Sequence, residues 1–430
     1  MSYRETLAYL AGLNPLGIRL GLDAIHSLLG RLDNPQESFP AVLIAGTNGK
    51  GSVAAMTASI LREAGFRTGL YTSPDLIDVR ERIRIDGRMI GRAEMAACAE
   101  EVRGRLREEV SYFEFLTAIA FLHFQRQKVD IAVLEVGLGG RLDATNVVVP
   151  LVSVITNISL EHRAYLGNTL AEIAREKGGI IKEGGVCLTA ARQRTVIGVL
   201  ETICREREAR LFRVGREIRT TLHRDGTFSY RGIGRRHERL RCPLAGRHQI
   251  SNAALALAAV EQVHEAGFRV AEEAVSRGLE RTRWAGRLEV LQRSPLLIAD
   301  GAHNPAGAAA LSRALRNDFP HRRLILLFGV LGDKDYRAMA RRLFPLADRV
   351  ILTRPHSERA LSPDDLLAAA GAASGVEVIE DPGHALSHAL SLAGEDDLVC
   401  VAGSLYLVGE IKKLLRTTDA GPAGALREDR

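Results

Sequence analysis

A chain of 430 residues exceeds the length at which one hydrophobic core stops growing, so two domains are expected; 46% hydrophobic and 26% charged residues suffice for packed cores and a charged surface, and argue against a mainly disordered chain. The net charge of +6 would suit acidic ligands, but the arginines are scattered along segments that read as helices and loops, so most of it is solvated surface and no nucleic-acid partner is expected. Cys98, Cys187, Cys204, Cys242 and Cys400 form no CxxC pair, and no leader or membrane-length apolar run is seen, so a reduced, cytoplasmic chain with no membrane association is the expectation.

Helical spacing over residues 16–29 opens the chain. Residues 41–45 then form an apolar run that meets a glycine-rich loop, the order strand, loop, helix. Strands are expected at 130–136, 151–156 and 185–189, alternating with helices at 113–127 and 170–181, which argues for a parallel sheet covered by helices. Between about 211 and 244 short alternating pieces with Gly and Asp turns read as a small antiparallel insert. An Ala-rich helix at 250–264 follows, and a turn at 293–295 precedes strands at 296–299, 324–328, 349–353, 376–379 and 398–401, each followed by helical spacing. The fold class is α/β: a P-loop-containing parallel-sheet ATPase domain over 1–290, a smaller doubly wound Rossmann-like C-terminal domain over 291–418, and a frayed tail at 419–430.

The strongest local signal is Gly46-Thr47-Asn48-Gly49-Lys50-Gly51-Ser52. Glycines let backbone N–H groups crowd phosphate oxygens, the following helix offers its positive end, and a lysine neutralises β/γ charge, so this is a nucleoside triphosphate site rather than a plain turn. The usual Walker pattern has Ser or Thr directly after the lysine, whereas Gly51 intervenes here. In that form the loop resembles the folylpolyglutamate synthetase and dihydrofolate synthetase family, a branch of the Mur ligase superfamily.

The resemblance continues from about Leu16 to Leu415. Tyr71-Thr72-Ser73-Pro74-Asp75-Leu76 is similar to the family's TSPHL turn, with Asp75 in place of histidine; Phe113-Glu114-Phe115-Leu116-Thr117 is similar to its FEFLT helix start. The run from Leu134 through Glu135 to Asn146 matches the family signature over thirteen positions and is the most specific block in the chain. Glu161-His162, Lys177, the run from Gly246 to Ala254, Trp284-Ala285-Gly286-Arg287 and Asp300-Gly301-Ala302-His303-Asn304-Pro305 complete it. Taken singly, each of these is more often a turn, a core aromatic or a surface charge.

The resemblance implies an ATP-dependent amide ligase that adds L-glutamate to dihydropteroate, to folates, or to both, through an acyl phosphate. Gly49, Lys50, Gly51, Ser52, Asn252, Arg287 and Asp300 would bind ATP; Ser73, Glu135 and His162 would hold magnesium, two ions in all; Lys177 would carry a carbamate, and His303 would lie near the reacting groups with Lys50. Ala45, Gly46, Thr47, Phe113, Glu114, Phe115, Leu142, Asp143 and Ala144 would line the folate or pteroate site. A monomer is expected, with ATP, L-glutamate and a pterin acid as its partners. A Mur-type ligase for another acid, such as a cell-wall precursor, and a nucleotide-binding protein without ligase chemistry are the competing readings.

Overall fold

A computed structural model describes residues 1–13, 21–370 and 375–419. Two units result, Met1–Pro243 with Gln249–Arg283, and Leu244–His248 with the chain from Trp284 onward. The early helix spans Asp23–Arg31, and positions 16–20 of its expected range lie outside the described residues. So do positions 420–430 of the expected tail, while Asp419 ends the helix Leu405–Asp419. Among the described residues no helix is long and apolar enough to cross a membrane.

The first unit is built on an eight-stranded sheet of β1 (Ala41–Ala45), β2 (Thr68–Tyr71), β3 (Ile83–Ile85), β4 (Arg88–Met89), β5 (Ile131–Glu135), β6 (Val152–Ile155), β7 (Val186–Thr189) and β8 (Arg210–Arg213). Their order is β4-β3-β2-β5-β1-β6-β7-β8. From β2 to β8 across the sheet neighbours run parallel, and β3 and β4 turn antiparallel at one edge. All five residues of β1 are buried, as a strand covered on both faces requires. The sequence reading missed β2, β3 and β4, which at four, three and two residues are too short for a period to register.

The insert begins later than expected. Residues Arg210–Arg213 pair in parallel with β7 and extend the main sheet, and the antiparallel piece is β9 (Arg219–Leu222), β10 (Phe228–Arg231) and β11 (Arg236–Leu240). As an edge strand β8 is only partly buried, so its apolar signal resembled that of the insert.

The second unit holds β12 (Glu289–Arg293), β13 (Leu296–Asp300), β14 (Leu324–Phe328), β15 (Arg349–Leu352), β16 (Val376–Val378) and β17 (Leu398–Ala402) in the order β12-β13-β17-β14-β15-β16. Only β12, a half-exposed edge strand absent from the sequence reading, is antiparallel.

Candidate active site

The chain leaves β1 toward β2 on one side and leaves the neighbouring β6 toward β7 on the other, and ligands of open parallel sheets gather outside the carboxyl ends of strands at such a point. The segments leaving β1, β2, β5 and β6 there begin at Gly46, Thr72, Val136 and Thr156. Four separate stretches of sequence thus converge on one edge.

Gly46 has φ +144, and a Cβ there would stand 1.9 Å from Thr156 Oγ1; Gly49 has φ +88, and its Cβ would stand 2.6 Å from Asn252 Oδ1. Only glycine fits either position. The exit of β6 braces the loop: Thr47 N–H donates to the Asn157 carbonyl at 2.8 Å and Asn48 N–H to Asn157 Oδ1 at 3.1 Å. The Thr156 hydroxyl and Asn157 amide donate to the Asn48 carbonyl at 2.7 and 2.8 Å. The sequence reading gave Thr156 and Asn157 no role, although their place directly after an apolar strand was an available signal. Helix Lys50–Glu63 starts at the loop and points its unpaired first-turn N–H groups at it. The Ser52 hydroxyl is buried without a hydrogen-bond partner, which fits a site built to receive phosphate oxygens or a cation. Asn252 donates to Gln249 Oε1 at 2.8 Å, which fixes its amide beside Gly49.

Glu135 ends β5 as a buried carboxylate, and its Oε2 accepts the Ser73 N–H at 3.2 Å. These two expected metal ligands, sixty-two positions apart, are therefore brought together. His162 follows the β6 exit at φ +50, a left-handed conformation a histidine adopts at some cost, with Nε2 3.9 Å from Glu161 Oε1. No group of three or more His, Cys, Asp or Glu that could hold a metal occurs among the described residues. A hydroxyl, a buried carboxylate and a ring nitrogen form a sparse set, suited to a hard cation that keeps waters and phosphate oxygens.

Lys177 rides on helix Leu170–Gly178, whose start is fixed by a capping box: Glu172 N–H donates to Thr169 Oγ1, and Glu172 Oε2 accepts the Thr169 N–H at 2.9 Å. One turn after the buried Ile173, Lys177 lies on the inward face. Its side chain is 5% exposed, and Nζ donates to the Gly46 carbonyl at 2.9 Å. Burial, then the charge of Lys50, pushes its pKa down to about 7 against the opposing pull of Glu161 and Asp143. A large fraction of this amine is neutral near neutral pH, unlike a solvated lysine.

The residues expected at a folate or pteroate site divide. Phe113 is partly exposed, stacks on Tyr71 at 5.8 Å and faces Gly137. Phe115 is instead fully buried in the core against Tyr9, and the Glu114 carboxylate closes the helix cap by accepting from the Ser111 N–H and hydroxyl, both at 2.7 Å. Those two positions are occupied by packing and capping, because the first inward turn of a helix supplies both. Asp143 is buried; Oδ2 takes the Leu138 N–H at 2.9 Å and Oδ1 the Thr145 N–H and hydroxyl at 3.0 and 2.6 Å. Burial raises its pKa against these bonds, and its carboxylate shapes its own loop. Leu142 is partly exposed, whereas Ala144, Ala45, Gly46 and Thr47 are buried around the loop bases. Asp75 accepts from Arg82 Nε at 2.5 Å, and the Arg82 guanidinium lies over Tyr112 at 5.2 Å. Burial alone would lower the Arg82 pKa, but Asp75 and the neighbouring tyrosines raise it.

In the second unit Asp300 ends β13, its Oδ2 accepting the Leu288 N–H and its Oδ1 the Ala302 N–H, both at 2.9 Å. Arg287 donates to its neighbour's carbonyl at 3.1 Å and its guanidinium runs beside Gly301. His303 Nδ1 lies 2.8 Å from the Gly301 carbonyl, which holds the proton on that nitrogen. The three expected residues therefore cluster at one strand end. His248, which the sequence reading gave no role, is pushed down by burial and lies in the field of Asp300 and Arg287.

Residues 44–260 match the Mur ligase middle domain and residues 286–405 the Mur ligase glutamate ligase domain. The dihydrofolate synthase/folylpolyglutamate synthase of Bacillus subtilis (strain 168) is 35% identical over 429 residues, covering 96% of this chain and 99% of that one. Escherichia coli FolC in complex with DHPP and ADP superposes with a TM-score of 0.91 at 30% identity, over 97% of this chain and 99% of that one. A bifunctional folylpolyglutamate synthase/dihydrofolate synthase with Mn, AMPPNP and L-glutamate bound gives 0.87 at 30% identity, over 96% and 98%.

Proposed function

Because the chain belongs to the folylpolyglutamate synthase/dihydrofolate synthase family of Mur ligases, we propose that it joins L-glutamate to dihydropteroate and to folyl(poly)glutamates with ATP and a divalent cation. It is an ATP-dependent ligase. The observation that carries the substrate reading is Lys177, buried against Gly46 at the base of the phosphate loop, in a chain similar along its length to enzymes of this name.

A carboxylate does not condense with an amine in water, because its leaving group would be oxide. Transfer of the ATP γ-phosphoryl to a carboxylate oxygen forms an acyl phosphate and releases ADP; the glutamate amine then attacks the acyl carbon, phosphate leaves, and the amide remains. The protein's part is positioning and charge. Lys50, the N–H groups of Gly49, Gly51 and Ser52, and Asn252 would hold the phosphates, and Arg287 and Asp300 would also bind ATP. Ser73, Glu135 and His162 would hold magnesium, which when bound offsets negative charge on the transferred group. His303 would lie near the reacting groups.

The carbamate on Lys177 belongs to the same reading. Carbon dioxide adds to a neutral amine, and a buried lysine with its pKa near 7 presents one. The nitrogen bonds to the carbon of carbon dioxide, one C=O π bond becomes the carbamate oxygen anion and one proton leaves the nitrogen for solvent; Lys50 nearby would favour the resulting anion. The test of the function is phosphate release with ATP, magnesium and L-glutamate, comparing dihydropteroate, tetrahydrofolate and a cell-wall precursor. Release with the first two supports the reading; release only with the third gives the site to another acid.

A further inference from the structure

Arg231 pairs directly with Arg219 on β9 and with Arg236 on β11, so three arginines stand in one cross-strand row. Directly paired residues of an antiparallel sheet share a face, here the outward one, since Tyr230 and His237 of the adjacent row are buried and all three arginines are exposed. Like charges directly opposite one another destabilise a sheet. Elsewhere in this region carboxylates compensate: Arg213 pairs with Glu201, Arg216 with Glu217 and Arg239 with Asp225. Among the described residues none offers a side-chain partner to Arg231 or Arg236, and Arg219 donates only to the Arg216 carbonyl. Between positions 219 and 240 six arginines stand with only Asp225 and Glu238 as carboxylates, so positive charge is in excess along this stretch.

We propose that the Arg219–Arg231–Arg236 row is an exosite for the polycarboxylate tail of a substrate or product carrying several glutamates. This rests on the ligase reading above. Each ligation consumes one carboxylate and adds two, so the ligand gains one negative charge per turnover. Strands lie about 4.8 Å apart, which sets three guanidinium forks across roughly 10 Å, the scale of a few linked glutamates rather than a protein interface. The aromatic residues of β10, Phe228 and Tyr230, are buried, so the face lacks the stacking platform that single-stranded nucleic acid uses. The turn between β10 and β11 is anchored to the helix that carries Asn252. Ile233 N–H donates to Glu261 Oε2 at 2.9 Å, and Glu261 follows Asn252 by nine residues on helix His248–Glu265, about 14 Å along its axis.

The test compares the wild-type chain with the triple variant Arg219→Gln, Arg231→Gln, Arg236→Gln, using acceptors that carry one or five glutamates. The KM for the five-glutamate acceptor is expected to rise about tenfold, and 0.5 M salt is expected to do the same to the wild type. The one-glutamate KM, kcat and thermal midpoint are expected to hold. A triple lysine variant, which keeps the charge, is expected to retain most of the tail preference if the glutamine protein folds poorly. Equilibrium dialysis of a five-residue oligoglutamate gives a readout independent of ligation: binding lost in the glutamine variant supports the row, even if no acceptor is turned over and the ligase reading falls. An unchanged KM ratio with unchanged oligoglutamate binding overturns it, as does loss of oligonucleotide binding alone.

Discussion

Lys177 Nζ and the carbonyl oxygen of Gly46 lie 2.9 Å apart although 131 positions separate them. The contact joins the helix that follows β6 to the first residue of the phosphate loop, and it places a buried amine where phosphate charge is expected to gather. A cation there would add to Lys50; a carbamate would oppose it and provide oxygen ligands.

Lys177→Ala is expected to lower ligation at least about a hundredfold, the scale of losing a group that organises charge at the reaction centre. Its fold should persist, because removing an amine held buried with a depressed pKa offsets part of the packing lost with its methylene stem. Circular dichroism and turnover check this, and acetate or formate should restore part of the rate. Full activity in the variant would remove Lys177 from the mechanism.

The same lysine sets a pH dependence. With its folded pKa near 7 and its ordinary value at 10.5, the unmodified folded chain binds fewer protons than the unfolded chain between those limits. Stability therefore rises with pH across that window and is flat with respect to this group below it. Denaturation midpoints in CO2-free buffer from pH 6 to 10 should show that slope in the wild type and not in Lys177→Met. Carbamate occupancy, read by 13C-bicarbonate NMR, should likewise increase as pH passes upward through 7.

Glu135→Ala is expected to abolish metal-dependent ADP formation while the chain stays folded, at a cost of about 1–3 kcal/mol that includes the bond from Ser73 N–H. Metal titration with a fluorescent nucleotide checks the first part and denaturant unfolding the second. A variant that unfolds at room temperature would make Glu135 a structural residue.

Gly49→Ala should weaken nucleotide binding at least about tenfold and destabilise the chain by about 1–3 kcal/mol, because a Cβ at φ +88 would stand 2.6 Å from Asn252 Oδ1. Calorimetric titration with MgADP is the measurement. Asn252→Ala removes the obstruction, so the double variant should regain part of the stability.

The chemistry was more legible than the packing that supports it. Gly46 through Ser52 stood out because glycine and lysine at close spacing after an apolar strand form a local pattern, and the Leu134–Asn146 block because its residues are contiguous. The brace from Thr156 and Asn157 joins positions over a hundred residues apart, and their place after an apolar strand marks a sheet edge without naming the loop they hold. The family resemblance placed Glu114 and Phe115 with Phe113, yet a helix turns 100° per residue, so of the three one caps, one enters the core and Phe113 keeps an accessible face. β12 and the β3–β4 edge escaped notice because half-exposed short strands carry no strong hydrophobic period.

The central claim is that the acceptor carboxylate is phosphorylated before the amide forms. Dihydropteroate labelled with 18O in its carboxylate, incubated with ATP, magnesium and L-glutamate, should deliver one 18O atom to the phosphate released, as read by mass spectrometry. Amide product accompanied by unlabelled phosphate would contradict an acyl phosphate and the role given to this site.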